Sequence, residues 1–498
     1  MKSNYAISAG NPITLAAAEQ ILQAGGNAVD AAIAAYLSCF VAEPCMASAG
    51  AGGFAMIADG SATQCVDFFC QTPLQKRPAG ELDFFPVTID FGTATEDFHV
   101  GRGSVATPGA IAGIYFMHKH WATIPMPELA THAIQTAKEG AAIDAFQAYD
   151  IQLLSEIFLL SEAGRALVST NNRLKGEGDR LYMLEFADFL EVLAIEGPDL
   201  FYKGEVAKTI VADQQAQGGN LTYEDFERYQ AVPRQPITIP WAEHTVQTTG
   251  SPSVGGALIA AYLHEYTNNI AQVPAHSSRE HLQRLIHSYD QVNAIKDDDR
   301  LIAKYMEETF GIDMQRGNTT AKWNGTSHFN IVDRDGMAVA LTTSVGEGCG
   351  YFIPGTNMQL NNMLGEAALL PQGFHSWSPN TRLRSMMTPT VVRDKAGTLK
   401  MVTGSGGAGR IPFAIAQTII NHILYKQPIH DAVNNSRIHK HDDITNVEPN
   451  YEVGPGLHTK RWAQQSLYFG GVHSISRDGA VVRAAGDLRR HGVAKVGS

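Results

Sequence analysis

The 498-residue chain predicts an α+β fold, with helices in its first part and antiparallel hairpins in its last. Three observations carry this: Ala/Leu-rich stretches that stop at glycine pairs, β-branched runs that flank short polar turns, and no strand–helix alternation of the kind that builds a parallel sheet. Residues 14–24 are the first such stretch, and Gly25-Gly26 end it as a C-cap signal. Asn27 can cap the next helix, residues 28–41. Further helices are expected at 126–138, 184–195, 204–217, 255–266 and 280–294, the third of these stopping at Gly218-Gly219. The pattern then changes. Residues 326–332 and 337–345 flank the turn Asp333-Arg334-Asp335-Gly336 and read as a hairpin. Residues 389–392 pair with 399–403 across Lys395-Ala396-Gly397, and 473–476 with 480–483 across Arg477-Asp478-Gly479; a long amphipathic helix is expected at 411–424.

Composition narrows the function. The chain is 44% hydrophobic and 18% charged, enough to bury a large core. Length alone would allow about three domains, but no linker, repeat or low-complexity run divides it, so one compact unit is expected. Forty-seven glycines, many clustered, suggest tight loops around a site. A net charge of −12 with scattered Lys and Arg argues against nucleic-acid binding. No apolar run reaches the roughly 18 residues that span a bilayer; residues 28–41 come nearest, and Asp30 interrupts them. The first residues lack an apolar signal core, so the expected compartment is the cytoplasm unless an export segment was removed. The five cysteines form no CxxC pair and the histidines do not cluster with them, which leaves neither a zinc site nor a disulfide framework. Cys45 and Cys70 read as small buried residues. No HExxH-like spacing supports a metal hydrolase, and no cofactor is expected.

The most informative stretch is Gly325-Thr326-Ser327-His328-Phe329. A hydroxyl residue directly after glycine, at the start of a strand, suits self-cleavage. The Thr326 hydroxyl can attack the Gly325 carbonyl, and hydrolysis of the resulting ester leaves Thr326 as a new N-terminus. Its α-amino group, with a pKa of about 7.7–8.0, then serves as the base for its own hydroxyl. Alone the motif is a weak signal, and its plain reading is a strand opening with two hydroxyls.

Blocks along nearly the whole chain add weight. They are Gly25-Gly26-Asn27-Ala28-Val29-Asp30-Ala31-Ala32, Glu43-Pro44 with Gly50-Ala51-Gly52-Gly53-Phe54, Pro108-Gly109, Phe201-Tyr202-Lys203-Gly204, Ser251-Pro252-Ser253-Val254-Gly255-Gly256, Thr326-Ser327-His328-Phe329, Leu360-Asn361-Asn362, Gly404-Ser405-Gly406-Gly407 and Gly486-Asp487-Leu488-Arg489. In this order they resemble the γ-glutamyltransferase (glutathione hydrolase) family of N-terminal-nucleophile hydrolases. The resemblance implies an αββα four-layer sandwich and cleavage between Gly325 and Thr326. It also implies a large subunit 1–325, a small subunit 326–498, and amide hydrolysis or acyl transfer through an ester on Thr326. The fragments would stay tightly associated as one structural unit, with a dimer of such heterodimers open. The substrate would be a small amide and the acceptor water or an amine, with neither nucleic acid nor membrane as partner.

The same resemblance assigns residues. Thr326 is the nucleophile. Ser344 stands where the family orients the nucleophile with a second hydroxyl, although a strand hydroxyl bonded to backbone is an equal reading. The backbone N–H groups of Gly407 and Ala408 match the oxyanion hole. Arg410 beside them is either surface decoration or an anion contact. Recognition departs from the pattern. Phe69 stands at the arginine that clamps the substrate carboxylate, a role a phenyl ring cannot fill. Gly346 replaces an asparagine, Ser385-Met386 replaces paired serines, Glu366 takes the position of the acidic residue for the substrate amine, and Met363 follows Asn362. Arg384 or Arg102 could rebuild a carboxylate site. The expected acyl group is therefore γ-glutamyl-like or a related one. An oxamate- or glutaryl-type amide is the alternative, and an unprocessed ligand-binding relative is the alternative of another class.

Overall fold

The computed structural model describes residues 4–90, 95–314, 325–367, 369–370, 373–441 and 443–498. A seven-stranded antiparallel sheet runs in the order Val232–Arg234, Ala62–Phe68, Gly52–Asp59, Ala338–Ser344, Thr326–Val332, Tyr5–Ala9, Val493–Gly497. A six-stranded antiparallel sheet runs Ile237–Trp241, His244–Thr248, Thr390–Asp394, Leu399–Gly406, Gly471–Asp478, Val481–Ala485. The sheets face each other through the strands Thr326–Val332 and Ala338–Ser344 of the first and Leu399–Gly406 of the second. Helices Pro12–Gln23, Ala28–Ala42 and Ala110–Trp121 pack on the first sheet; Gly255–Thr267 and Ile411–Ile419 pack on the second. Each sheet thus buries one face against the other sheet and one against helices, which gives the expected αββα layering within an α+β fold. No described helix is long and apolar enough to cross a membrane.

Local chemistry explains the central elements. The Asn27 side chain accepts the N–H groups of Val29 and Asp30 at 2.8 and 2.9 Å, and Asp30 Oδ2 accepts the Asn27 N–H at 2.9 Å. This capping box starts a helix whose every residue is buried. In the central hairpin Asp333 Oδ1 accepts N–H groups from Asp335, Gly336 and Met337 at 2.9–3.0 Å, which closes the turn. The register then sets Thr326 opposite Ser344.

The first part of the chain is less helical than its composition predicts. It supplies four strands of the seven-stranded sheet, Tyr5–Ala9, Gly52–Asp59, Ala62–Phe68 and Val232–Arg234. The second begins inside the glycine cluster expected to be a loop. Both faces of that strand are covered, so it shows no polar alternation. Its glycines admit neighbouring backbone: a Cβ on Gly53 would stand 2.3 Å from the Thr342 carbonyl oxygen. The helix expected over 411–424 is α-helical over Ile411–Ile419 and π-helical over Ile420–Leu424. The helices Ala110–Trp121 and Asp299–Phe310 lie outside the predicted set. All five cysteines are free and buried.

Candidate active site

Thr326 opens its strand in the middle of the seven-stranded sheet and is buried. The peptide preceding it is held at both ends. Ser344 Oγ donates to the Gly325 carbonyl at 2.6 Å, and Gly346 N–H donates to Ser344 Oγ at 3.0 Å. The Gly325 N–H donates to Glu347 Oε1 at 3.3 Å. A Cβ at position 325 would lie 2.7 Å from the Gly346 carbonyl oxygen and 3.0 Å from that of Cys45, so glycine is what fits. Burial raises the Glu347 carboxyl well above its ordinary range.

The glycine end of strand Leu399–Gly406 lies directly against the threonine. A Cβ on Gly406 would stand 2.3 Å from the Thr326 carbonyl oxygen, and Arg490 Nη1 donates to that oxygen at 3.3 Å. Gly407 and Ala408 bend the chain with φ of 122° and 52°, and Arg410 N–H closes the turn on the Gly407 carbonyl at 3.0 Å. Holding alanine in the left-handed region costs about 1–2 kcal/mol, strain of the kind that gathers at functional sites.

The residues after Thr326 are structural. Ser327 Oγ donates to Glu43 Oε2 at 2.8 Å, and Glu43 also accepts Thr14 Oγ1 at 3.0 Å. His328 bonds Thr342 Oγ1 and Asn330 Oδ1 at 2.8 and 3.0 Å. Burial, with His473 beside it, pushes its pKa down to about 3, so it stays neutral.

The recognition residues divide. Asn362 and Glu366 come together at Gly346: a Cβ there would stand 2.1 Å from Asn362 Oδ1 and 2.3 Å from Glu366 Oε1. Asn362 Oδ1 accepts the Glu347 N–H at 3.0 Å, which ties this group to the Gly325 peptide. Met386 lines a cavity of about 590 Å³ together with Gly409, Arg410, Phe413, Lys296 and Tyr468. Ser385 is occupied internally: its Oγ accepts the Met387 N–H, and its carbonyl accepts from Val254 N–H and Ser253 Oγ at 3.0 and 3.2 Å.

Three expectations need correction. Phe69 does not face a substrate cavity; it is buried and stacks on Phe54 with ring centroids 5.7 Å apart, inside the core. Arg384 and Arg102 do not rebuild a carboxylate site. Arg384 pairs with Asp299 at 3.0 Å and donates to the Lys296 carbonyl, while burial lowers its guanidinium to about 10. Arg102 pairs with Asp213 at 2.7 Å and Asp83 at 3.3 Å. Arg410 is not at the surface; it is buried with its guanidinium 4.7 Å from the Tyr468 ring centre. Sequence reasoning missed Glu347 and Arg490. Arg490 was visible as the neighbour of the block ending in Arg489, but no spacing signal marked Glu347.

Two facing sheets between helical layers, with a buried threonine opening an inner strand, are the layering expected of the N-terminal-nucleophile hydrolase fold. The solved structure of a cephalosporin acylase from Bacillus halodurans shares this fold at a TM-score of 0.84 and 20% identity, over 99% of this chain and 96% of that one. The family profile described as Gamma-glutamyltranspeptidase matches residues 15–497. The chain is 28% identical to the glutathione hydrolase proenzyme of Bacillus subtilis strain 168, over 98% of this chain and 90% of the relative. It is 26% identical to the capsule biosynthesis protein CapD proenzyme of Bacillus anthracis, over 99% and 91%. The chain belongs to the γ-glutamyltranspeptidase family, and it is an enzyme of that hydrolase and transferase family.

Proposed function

We infer that the chain cuts itself between Gly325 and Thr326, giving subunits 1–325 and 326–498 that remain together, and that Thr326 then carries the acyl group of a small amide as an ester. The carrying observation is the Ser344 hydroxyl on the Gly325 carbonyl at 2.6 Å. A donor on that oxygen polarises the scissile carbonyl and steadies the charge that grows on it when Thr326 Oγ attacks. Ser344 thus acts on the carbonyl being cut, where the family pattern suggested an orienting contact to the nucleophile. Once Gly325 has left, the Thr326 amine is the base for its own hydroxyl. The Gly407 and Ala408 N–H groups, which follow Gly406 where it meets the Thr326 carbonyl, are the oxyanion donors of turnover.

The acyl group is γ-glutamyl-like or a related acyl. The names of the relatives favour this over oxamate- or glutaryl-type amides, and their being enzymes disfavours an unprocessed binding relative. Glu366 and Asn362 beside Gly346 offer an acceptor for a substrate amine. The arginine clamp for an α-carboxylate is absent at Phe69, so ordinary γ-glutamyl amides are expected to bind weakly. The cavity lined by Met386, Gly409 and Arg410 is where the rest of the substrate would lie.

Intact-mass spectrometry of the purified protein, incubated with a panel of small amides, tests this. Two fragments with the second beginning Thr-Ser-His-Phe, and an acyl adduct on that fragment, are expected. A single uncut 53.8 kDa chain that turns over amides would refute the assignment.

A further inference from the structure

A second, smaller cavity of about 50 Å³ lies beside Gly325, walled by Cys45, Met46, Leu154, Asp150, Glu347 and Arg490. Three polar atoms of the wall residues have no hydrogen-bond partner among the described residues: Asp150 Oδ2, Glu347 Oε2 and Arg490 Nε. Each of these residues is at least nine-tenths buried. Leaving a buried polar atom unpaired costs about 1–3 kcal/mol, and three around one space is far from the usual pattern. A buried water makes about three hydrogen bonds and needs a cavity of at least about 10–15 Å³. This cavity has room for a water, and the three atoms supply the partners it would use.

We propose that this cavity is the water site of self-processing: a water bonded to Asp150, Glu347 and Arg490 hydrolyses the ester that Thr326 forms on Gly325, with Asp150 as the base. This rests on the assignment of Thr326 above. In the first step Thr326 Oγ bonds to the Gly325 carbonyl carbon, the bond from that carbon to Thr326 N breaks, and the hydroxyl proton ends on the new amine. In the second the water oxygen bonds to the same carbon and one water proton passes to Asp150. The carbon–Oγ bond breaks, and Asp150 returns the proton to Thr326 Oγ. Gly325 is left as a carboxylic acid, which ionises. The two positioning residues already grip the bond that is cut: Glu347 Oε1 accepts the Gly325 N–H at 3.3 Å, and Arg490 Nη1 donates to the Thr326 carbonyl at 3.3 Å. Burial, partly offset by Arg490, pushes Asp150 up to about 7, a value suited to a base at neutral pH.

The test follows freshly translated full-length chain on denaturing gels as it converts to fragments, with and without hydroxylamine. Hydroxylamine attacks an ester without needing the base. D150N and E347Q are expected to cut themselves about 100-fold more slowly than wild type. Hydroxylamine should restore scission and leave Gly325 as a hydroxamate, read by mass. Either variant cutting at the wild-type rate would overturn the proposal. So would slow cutting that hydroxylamine does not rescue, because the residues would then act before the ester forms. L154F, which fills the cavity with carbon and keeps all three polar side chains, is expected to cut slowly with or without hydroxylamine, because it shuts out that nucleophile together with water; it covers the case in which a polar variant fails to fold, and L154F cutting at the wild-type rate would count against the proposal. Wild type that never breaks before Thr326 would instead defeat the parent assignment, so the two failures are told apart.

Discussion

The nucleophile end and the recognition end of this site are built in different ways. Around Gly325 and Thr326 the fit is made by backbone: Gly53, Gly325 and Gly406 each stand where a Cβ would meet a carbonyl oxygen at 2.3–2.7 Å. Around Phe69, Arg384 and Ser385 the fit is made by side chains, and these have turned inward to a ring stack, an ion pair and a loop contact. Backbone geometry tolerates little change without losing the reaction, whereas side-chain contacts can be exchanged while the fold persists. The difference explains how a chain can keep the family's chemistry and alter what it accepts.

The sharpest way to break this comparison is at Thr326. T326A is expected to remain one 53.8 kDa chain and to lose amide turnover by about 10⁴-fold or more, read by gel and by product release. Both fragments appearing in that variant would remove the threonine from its role. Next is Phe69. If it were merely a lost clamp, F69R would restore γ-glutamyl binding. Because the ring is packed on Phe54, the variant instead buries an unpaired charge and is expected to lose about 4 kcal/mol of stability or more in urea unfolding, with no gain in affinity. A stable F69R that binds glutathione would show that the recognition end had been misread. S344A should slow self-cleavage by about 100-fold, while S344T, which keeps the hydroxyl, should cut at a rate near wild type; equal rates for all three would detach Ser344 from the scissile carbonyl.

The smallest effect is a pH dependence. Asp150 has a folded pKa of about 7 against an unfolded value of about 3.9. The folded chain therefore binds its proton more tightly, and the stability this gives is complete below about pH 4 and is lost as pH rises through 7. Measured against D150N, which cannot ionise, wild type should lose a few degrees in melting temperature between pH 4 and pH 8. A difference that grows with pH would reverse the sign assigned to this carboxyl.

The layers and the central hairpin were legible because Asp333 and Gly336 announce a turn and the flanking runs are β-branched. The helix from Ala28 was legible in Asn27 and its apolar length. Strand Gly52–Asp59 was not, because burial on both faces erased the alternation that marks a strand and its glycines mimicked a loop. In the site, Thr326, Ser344 and the Gly407-Ala408 bend could be placed by order along the chain. Phe69 and Arg384 were identified at their positions, but the ring stack on Phe54 and the ion pair with Asp299 were not foreseen, since position says nothing of which way a side chain turns. Glu347, Asp150 and Arg490 converge from three distant segments with no shared spacing, and only folding brings them to one wall.

The strand order carries a consequence for assembly. Tyr5–Ala9 lies between Thr326–Val332 and Val493–Gly497, and Gly52–Asp59 pairs with Ala338–Ser344, so a cut before Thr326 leaves two polypeptides interleaved within one sheet. Neither can leave without stripping a ladder from the other. Expressed from separate genes, the halves would have to meet unfolded and co-fold, and once mature they should not exchange partners.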